Sequence, residues 1–229
     1  MKITWLGHSS FRIEIEDQIL LIDPWLIGNP SFPEDRAQEV TDGATAILLS
    51  HGHGDHASNA QSIAAEKGIT VACVHELSKL LAGDGVETLG FGKGGTLALG
   101  AVSVSMVNAV HSSSIDFQDG VQYAGGEAGF MIRGEGHTIY FTGDTDIMAD
   151  MAWMGEYFAP DIGLLCAGGH YTMDMQAAAW AAKKYFDFKT VIPCHYKTFP
   201  LLAQSADALV SGLPGVDVRT PDVLEAVEI

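Results

Sequence analysis

The hexapeptide His-Gly-His-Gly-Asp-His at positions 51–56 constrains this 229-residue chain more than any other feature. It follows directly on the apolar residues 46–49, which predict a buried strand. Residues spaced two apart in an extended segment project to the same side, and the two glycines allow the backbone to bend tightly between them. The sequence therefore predicts a loop with four potential metal ligands at the end of a buried strand.

Three further candidate ligands follow along the chain: His111, Asp144 within a Gly-Asp-Thr turn, and His195. Each comes at or shortly after the end of an apolar segment, so we expect the ligands to gather on loops at one edge of the sheets. Imidazole and carboxylate ligands together suit zinc, with manganese or iron as substitutes. The pattern predicts a site for two divalent metal ions, and two metals around one water indicate a hydrolase.

The order and spacing of these residues resemble the HxHxDH motif and the later ligands of the metallo-β-lactamase superfamily, from the N-terminus to about residue 200. The resemblance implies that the first metal is held by His51, His53 and His111 and the second by Asp55, His56 and His195, with Asp144 bridging the two. Four short motifs resemble one branch, the small metal-dependent hydrolases similar to L-ascorbate-6-phosphate lactonase. They are GHSSF at 7–11, IDP at 22–24, GHYTM at 169–173 and HYKTFP at 195–200.

Apolar periodicity predicts short strands first and then strands that alternate with helices, which favours an α/β (α+β) fold with two sheets packed face to face. The resemblance implies a four-layer αββα sandwich. Strands are predicted over residues 3–6, 11–15, 18–22, 46–50, 69–74, 101–107, 128–133, 137–142, 161–166 and 190–194. Helices are predicted near 57–67, 75–82, 148–154, 174–186 and 201–210, and residues 28–43 read as a loop. Because ligands from residue 51 to residue 195 must converge, we expect one domain over residues 1–229.

The expected chemistry is attack by a metal-bridging hydroxide on a carbonyl carbon or a phosphorus, since a bound metal makes hydroxide available at neutral pH. Asp55 is the candidate group for taking up or passing on the proton of the nucleophile. His170 and Tyr196 are candidate catalytic residues that would stabilise an oxyanion or bind the substrate. Lys197 is a candidate contact for an anionic substrate.

Two residues are predicted to support the ligands. Asp23 ends a strand and could accept the N–H of a metal-bound imidazole, which would fix the tautomer of that ring; a simple turn cap is the alternative. His8, also at a strand end, would support the site or contact the substrate, and a buried structural histidine is its alternative.

The amino-acid composition limits the kinds of molecule that this protein is expected to bind. With 12 basic and 29 acidic residues the formal net charge is −17, which disfavours nucleic acid. The three cysteines imply no disulfide framework, and no apolar segment approaches membrane-spanning length. We expect a cytoplasmic enzyme with a small-molecule substrate and no membrane partner; a homo-oligomer stays open.

The leading hypothesis is a hydrolase for a small, anionic ester or lactone. A phosphodiesterase with the same dinuclear site and a mononuclear iron dioxygenase are the enzymatic alternatives. A metal-binding scaffold without turnover is the non-enzymatic one, and the complete ligand set argues against it.

Overall fold

The computed structural model describes residues 1–83, 85–118 and 120–229. Its strands, in chain order, are β1 (Lys2–Trp5), β2 (Phe11–Ile15), β3 (Gln18–Ile22), β4 (Ala46–Leu48), β5 (Thr70–Val74), β6 (Thr88–Phe91), β7 (Thr96–Leu99), β8 (Val102–Asn108), β9 (Ser114–Ile115), β10 (Gln122–Tyr123), β11 (Ala128–Gly134), β12 (His137–Phe141), β13 (Ile162–Cys166), β14 (Thr190–Cys194), β15 (Asp217–Val218) and β16 (Ala226–Glu228). Its α-helices are α1 (Ala37–Thr41), α2 (Gly54–Ala57), α3 (Ala60–Lys67), α4 (His75–Leu81), α5 (Met151–Phe158), α6 (Met175–Tyr185) and α7 (Asp207–Gly212). A 3-10 turn covers Glu34–Arg36.

Two seven-stranded sheets form the body of the molecule, with orders β16-β1-β2-β3-β4-β5-β6 and β15-β14-β13-β12-β11-β8-β7. In the first sheet β3, β4, β5 and β6 run parallel, and in the second β12 to β15 do. Parallel neighbours end at the same edge of a sheet, so the segments after β3, β4, β12, β13 and β14 are available to build one site.

The two sheets face each other across an apolar core. Phe11 of β2 lies edge-on to Phe141 of β12, with ring centroids 6.1 Å apart. Phe91 of β6 and Phe130 of β11 stack at 6.3 Å. The fully buried strands read as continuous apolar runs, as expected for parallel strands covered on both faces.

Helices cover the outer faces. Helices α3 and α4 contact β5, and α6 packs its buried alanines towards Tyr140 of β12. The predicted α/β architecture of two sheets with helices is therefore confirmed. None of the helices in the described ranges has the length and apolar character that a membrane crossing requires.

Two predicted segments differ from the structure. Residues 28–43, predicted as a loop, contain the short helix α1. The predicted helix over 201–210 is wrong in its first half, because α7 begins only at Asp207. There the backbone pairs with other loops instead: the N–H of Ala203 donates to the carbonyl of Gly168, and the N–H of Lys197 donates to the carbonyl of Ala203.

Close approach of α5 and α6 requires glycine at position 155. A Cβ built there would overlap the carbonyl oxygen of Tyr185. We expect Gly155→Ala to lower the free energy of unfolding by about 1–3 kcal/mol, the usual cost of overpacking, in spite of the better helix propensity of alanine. Urea unfolding measures the change. Gly92→Ala is the control, since a Cβ at Gly92 meets no described atom within 4 Å, and equal midpoints for the two variants would contradict this packing.

Candidate metal centre

The predicted ligands lie on loops that follow strand ends. The hexapeptide 51–56 follows β4, His111 follows β8, Asp144 follows β12 and His195 follows β14. Residues 54–57 of the first loop form the short helix α2, so the loop turns back towards the site directly after His53. The structure thus brings all seven predicted ligands to one edge of the two sheets.

One group of potential ligands consists of His51, His53 and His111, each of which offers one ring nitrogen that lies within 4.8 Å of the other two. Nε2 of His51 and Nδ1 of His53 are 3.0 Å apart. Nitrogen ligands of a tetrahedral zinc ion are separated by roughly 3.3 Å, given Zn–N bonds of about 2.0–2.1 Å. These three imidazoles therefore fit a divalent metal ion.

A second group consists of His8, Asp55, His56 and His195, again with ligand atoms within 4.8 Å of one another. Three of these residues are predicted ligands of the second metal. The fourth, His8, is predicted from the sequence only as a supporting residue, and the structure places its ring next to the others. Its ring centroid is 4.0 Å from that of His195.

Asp144 lies between the two groups. Its Oδ2 is 3.0 Å from Nε2 of His195 and 3.4 Å from Nε2 of His56. The same oxygen is 3.6 Å from Nε2 of His111, which belongs to the other group. This is the position expected of a carboxylate that bridges two metal ions.

Buried polar atoms without partners mark the same place. Nε2 of His56 and Oδ1 of Asp144 are buried and have no hydrogen-bond partner among the described residues. Unsatisfied buried polar atoms are costly, and a bound cation is one of the few ways to satisfy a carboxylate and an imidazole together.

The electrostatics of the site point the same way. Burial alone would raise the pKa of Asp144, but the neighbouring His195 and His56 outweigh it and hold this pKa well below its usual range. Burial would lower the pKa of His56, yet Asp144 and Asp55 hold it well above its usual range. The ionised carboxylates are thus stabilised by positive charge between them, which divalent ions would supply.

Asp23 organises the ligands from behind. Its carboxylate accepts from the backbone N–H of Ser50 at 2.7 Å, from the Ser50 hydroxyl at 2.5 Å and from Nδ1 of His56 at 2.8 Å. Because the Ser50 hydroxyl donates to Asp23, its oxygen accepts from Nδ1 of His51 at 2.9 Å. Nδ1 of both imidazoles therefore faces an acceptor, which leaves Nε2 of each ring as the atom that is turned towards the site and can bind a metal ion. Burial, opposed by His56 and Ser50, raises the pKa of Asp23.

His8 connects Asp55 to a residue that sequence reasoning missed, Thr198. Burial and His195 lower the pKa of His8 to about 4, so the ring is neutral and carries one N–H. Its Nε2 donates to Oδ2 of Asp55 at 3.1 Å, while Nδ1 accepts from the Thr198 hydroxyl at 2.9 Å. The only signal for Thr198 in the sequence is its place three residues after His195.

Backbone strain is concentrated here. His8, Asp23 and His195 all have φ in the left-handed region, at 50°, 44° and 59°. Such conformations cost non-glycine residues of order 1–3 kcal/mol and persist where the surroundings impose them. Gly168 allows the last of these, since a Cβ there would overlap the carbonyl oxygen of His195.

A cavity of about 600 Å³ opens over the ligands. Its lining includes His53, Asp55, His111, Asp144 and His195 from the metal centre. The remaining lining residues are Trp25, Gly54, Ser112, Asp116, Tyr171, Phe199 and Leu201. This volume is within the range of sites for small molecules.

Three residues predicted to meet the substrate do not line this cavity. His170 is exposed and packs on Tyr171, with ring centroids 4.5 Å apart. Tyr196 is buried, stacks on Trp5 at 5.3 Å, and its hydroxyl has no partner among the described residues. Nζ of Lys197 lies 5.3 Å from the centroid of the Tyr196 ring. Burial raises the pKa of Tyr196 to about 12, which fits packing better than proton donation.

The support by Asp23 leads to a testable expectation. In Asp23→Asn the amide N–H₂ would face the donors of His56 and Ser50, so the His56 ring loses its fixed tautomer. We expect affinity for zinc to fall about 10–100-fold, as is typical when a partner of a ligand is lost. Competition with a chromophoric chelator measures it. Asp161→Asn is the matched control, because Asp161 accepts from Nδ1 of His137 at 2.7 Å outside the site. Equal zinc affinity of both variants would contradict the proposed support.

Comparisons with known proteins agree with this geometry. A β-lactamase superfamily domain matches residues 2–195. The chain is 64% identical to a UPF0173 metal-dependent hydrolase of Paracoccus denitrificans and 62% identical to one of Cereibacter sphaeroides, over the full length of both chains in each case. Among solved structures it is similar to Igni18, a metallo hydrolase from Ignicoccus hospitalis, with a TM-score of 0.84, 31% identity, and coverage of 99% of this chain and 97% of the other. The chain therefore belongs to the β-lactamase superfamily, among its UPF0173 metal-dependent hydrolases.

Proposed function

We propose that this metal-dependent hydrolase cleaves a small ester or lactone at a dinuclear centre. The observation that carries the proposal is the position of Asp144, whose Oδ2 lies within 3.6 Å of one imidazole of the first ligand group and two of the second. The whole chain, residues 1–229, is proposed to form one catalytic domain, since ligands from both sheets contribute to this centre.

His51, His53 and His111 would hold one metal ion and Asp55, His56 and His195 the other, with Asp144 shared. Zinc is the proposed metal, because imidazole and carboxylate donors suit it, and manganese or iron are substitutes. When bound, the ions lower the pKa of a coordinated water and polarise the oxygen of the electrophile.

The side chains of the protein would do the remaining work. Asp55 lines the cavity and is held in place by the N–H of His8, so it is oriented to accept a proton from the attacking water. Burial would raise the pKa of Asp55, but His56 and His8 hold this pKa below its usual range, which keeps the carboxylate ionised. Thr198 fixes His8 from the other side.

No cysteine competes as a nucleophile. Cys73, Cys166 and Cys194 are all buried, and none of them lines the cavity. Burial raises the pKa of Cys73 and of Cys166 to about 12. Direct attack by water is therefore the proposed route, and a lactone or ester is preferred over a more demanding bond because the motifs resemble the lactonase branch.

The test is metal analysis of protein purified without chelator, followed by assays with γ-butyrolactone, an acyl thioester and bis(p-nitrophenyl) phosphate. We expect close to two equivalents of zinc or manganese and lactone hydrolysis that a chelator abolishes and added metal restores. Preferred phosphate hydrolysis would favour the phosphodiesterase. One equivalent of iron without hydrolysis would favour the dioxygenase, and protein without metal would refute the proposal.

Substitutions at the site and outside it distinguish loss of metal binding from a general loss of structure. We expect Asp144→Asn and His111→Ala to lose bound metal and to lower lactone hydrolysis to the level of the chelated enzyme. His137→Ala is the matched control, since this histidine pairs with Asp161 away from the centre. It should keep both metal and activity. Full activity of Asp144→Asn would contradict a shared carboxylate.

A further inference from the structure

The wall of the cavity is largely apolar. Trp25 follows β3, Tyr171 follows β13, and Phe199 and Leu201 follow β14, so three separate loops contribute apolar surface. The rings of Trp25 and Phe199 are 6.0 Å apart and tilted against each other. Tyr171 and Leu201 are each more than half exposed. When a ligand covers solvent-exposed apolar side chains beside a reaction centre, the burial of their surface contributes favourable free energy to binding.

No positive side chain balances this wall. Among the described residues that line the cavity, none is a lysine or an arginine. The cation that the sequence suggested for an anionic substrate, Lys197, lies over the Tyr196 ring instead. Binding of a carboxylate or phosphate group would thus depend entirely on the metal ions, which the reaction itself requires.

A carboxylate at the cavity opposes anions directly. Oδ1 of Asp116 accepts from the backbone N–H of Gly54 at 2.8 Å, so the carboxylate is fixed beside the ligand loop. It is not among the predicted ligands, and its charge offsets part of the positive charge that bound metals would leave at the centre. An anionic group entering the cavity therefore meets a fixed negative charge and apolar walls.

We infer that the cavity selects an uncharged ester or lactone that carries an apolar or aromatic group, and that Asp116 is the residue that disfavours anionic substrates. The inference rests on the proposed function and narrows its substrate class to uncharged compounds, whereas the sequence alone suggested an anionic substrate. The apolar group would lie against Trp25, Phe199 and Leu201, with the carbonyl towards Asp144.

The experiment compares two lactones on the metal-loaded enzyme: γ-phenyl-γ-butyrolactone and the same compound with a para-carboxylate on its ring. We expect kcat/KM to favour the neutral lactone by about tenfold or more at low salt, and the preference to shrink at high salt as charges are screened. Asp116→Asn keeps an oxygen for Gly54 but removes the charge, and should reduce the preference several-fold. Leu201→Lys should reduce it further or reverse it.

Two matched control variants make the same changes in charge at positions outside the cavity. Asp187→Asn alters an exposed carboxylate and Leu89→Lys an exposed leucine, neither of which lines this cavity. Both should keep the preference of the unaltered enzyme. A preference for the carboxylated lactone, or a ratio that Asp116→Asn leaves unchanged, would overturn the inference while leaving a lactone hydrolase in place.

A binding measurement decides the inference if neither lactone is hydrolysed. Saturation-transfer NMR with the protein as purified would compare acetophenone with 4-acetylbenzenesulfonate. Stronger binding of acetophenone, and a gain for the sulfonate in Asp116→Asn, would support the selection against anions even if the proposed hydrolysis fails. Equal binding of the two compounds, preferred binding of the sulfonate or binding of neither would refute it.

Discussion

The site depends on a buried carboxylate among three imidazoles. Asp144 is 2% exposed, and one of its oxygens has no hydrogen-bond partner among the described residues. A buried charge is expensive unless it is paired, and neutral imidazoles alone cannot pair it. Protonation of His56 offers one solution, and divalent cations offer a better one, since they also satisfy the unpartnered oxygen of Asp144. The same arrangement that makes the protein without metal electrostatically unfavourable therefore favours strong metal binding.

The fold makes this arrangement possible by bringing strand ends together. Parallel strands in both sheets end at one edge, and the loops after them hold the ligands without long excursions. The loops are not relaxed: Asp23 and His195 adopt left-handed backbone conformations that hydrogen bonds and packing must maintain. Asp23 shows how, because the carboxylate at its strained position bonds both to Ser50 and to His56. The strained backbone at Asp23 thus places a carboxylate that fixes the orientation of the His56 ring at the metal centre.

The sequence predicts the sheets and the ligand loop well, because both follow from local patterns. Apolar runs of strand length and the spacing of the hexapeptide need no tertiary information. The supporting network is different: Ser50 and Thr198 are ordinary small polar residues whose roles appear only when distant loops meet. The wall of the cavity could not be predicted for the same reason, because Trp25 and Leu201 are 176 residues apart in the sequence. His170 and Tyr196 do not line the cavity, because adjacency to a motif does not determine which way a side chain points. Their catalytic roles stay predictions.

Charge acts at two scales in this protein, and they have different consequences. The net charge of −17 disfavours polyanionic partners, but it does not determine the charge inside the cavity. Within the cavity the charges of the ligand carboxylates would be matched by bound cations, whereas the hydrogen bond that Asp116 accepts comes from the backbone N–H of Gly54. In the part of the chain that the structure describes, this carboxylate is neither a predicted ligand nor part of an ion pair, and it lies beside the metal centre. Its negative charge would repel anionic substrates that approach the metal centre. The apolar walls from three loops would disfavour the same substrates. Hydrolytic chemistry then comes from the ligands, which the fold places, and selectivity comes from the loops around them, which can change without disturbing the sheets.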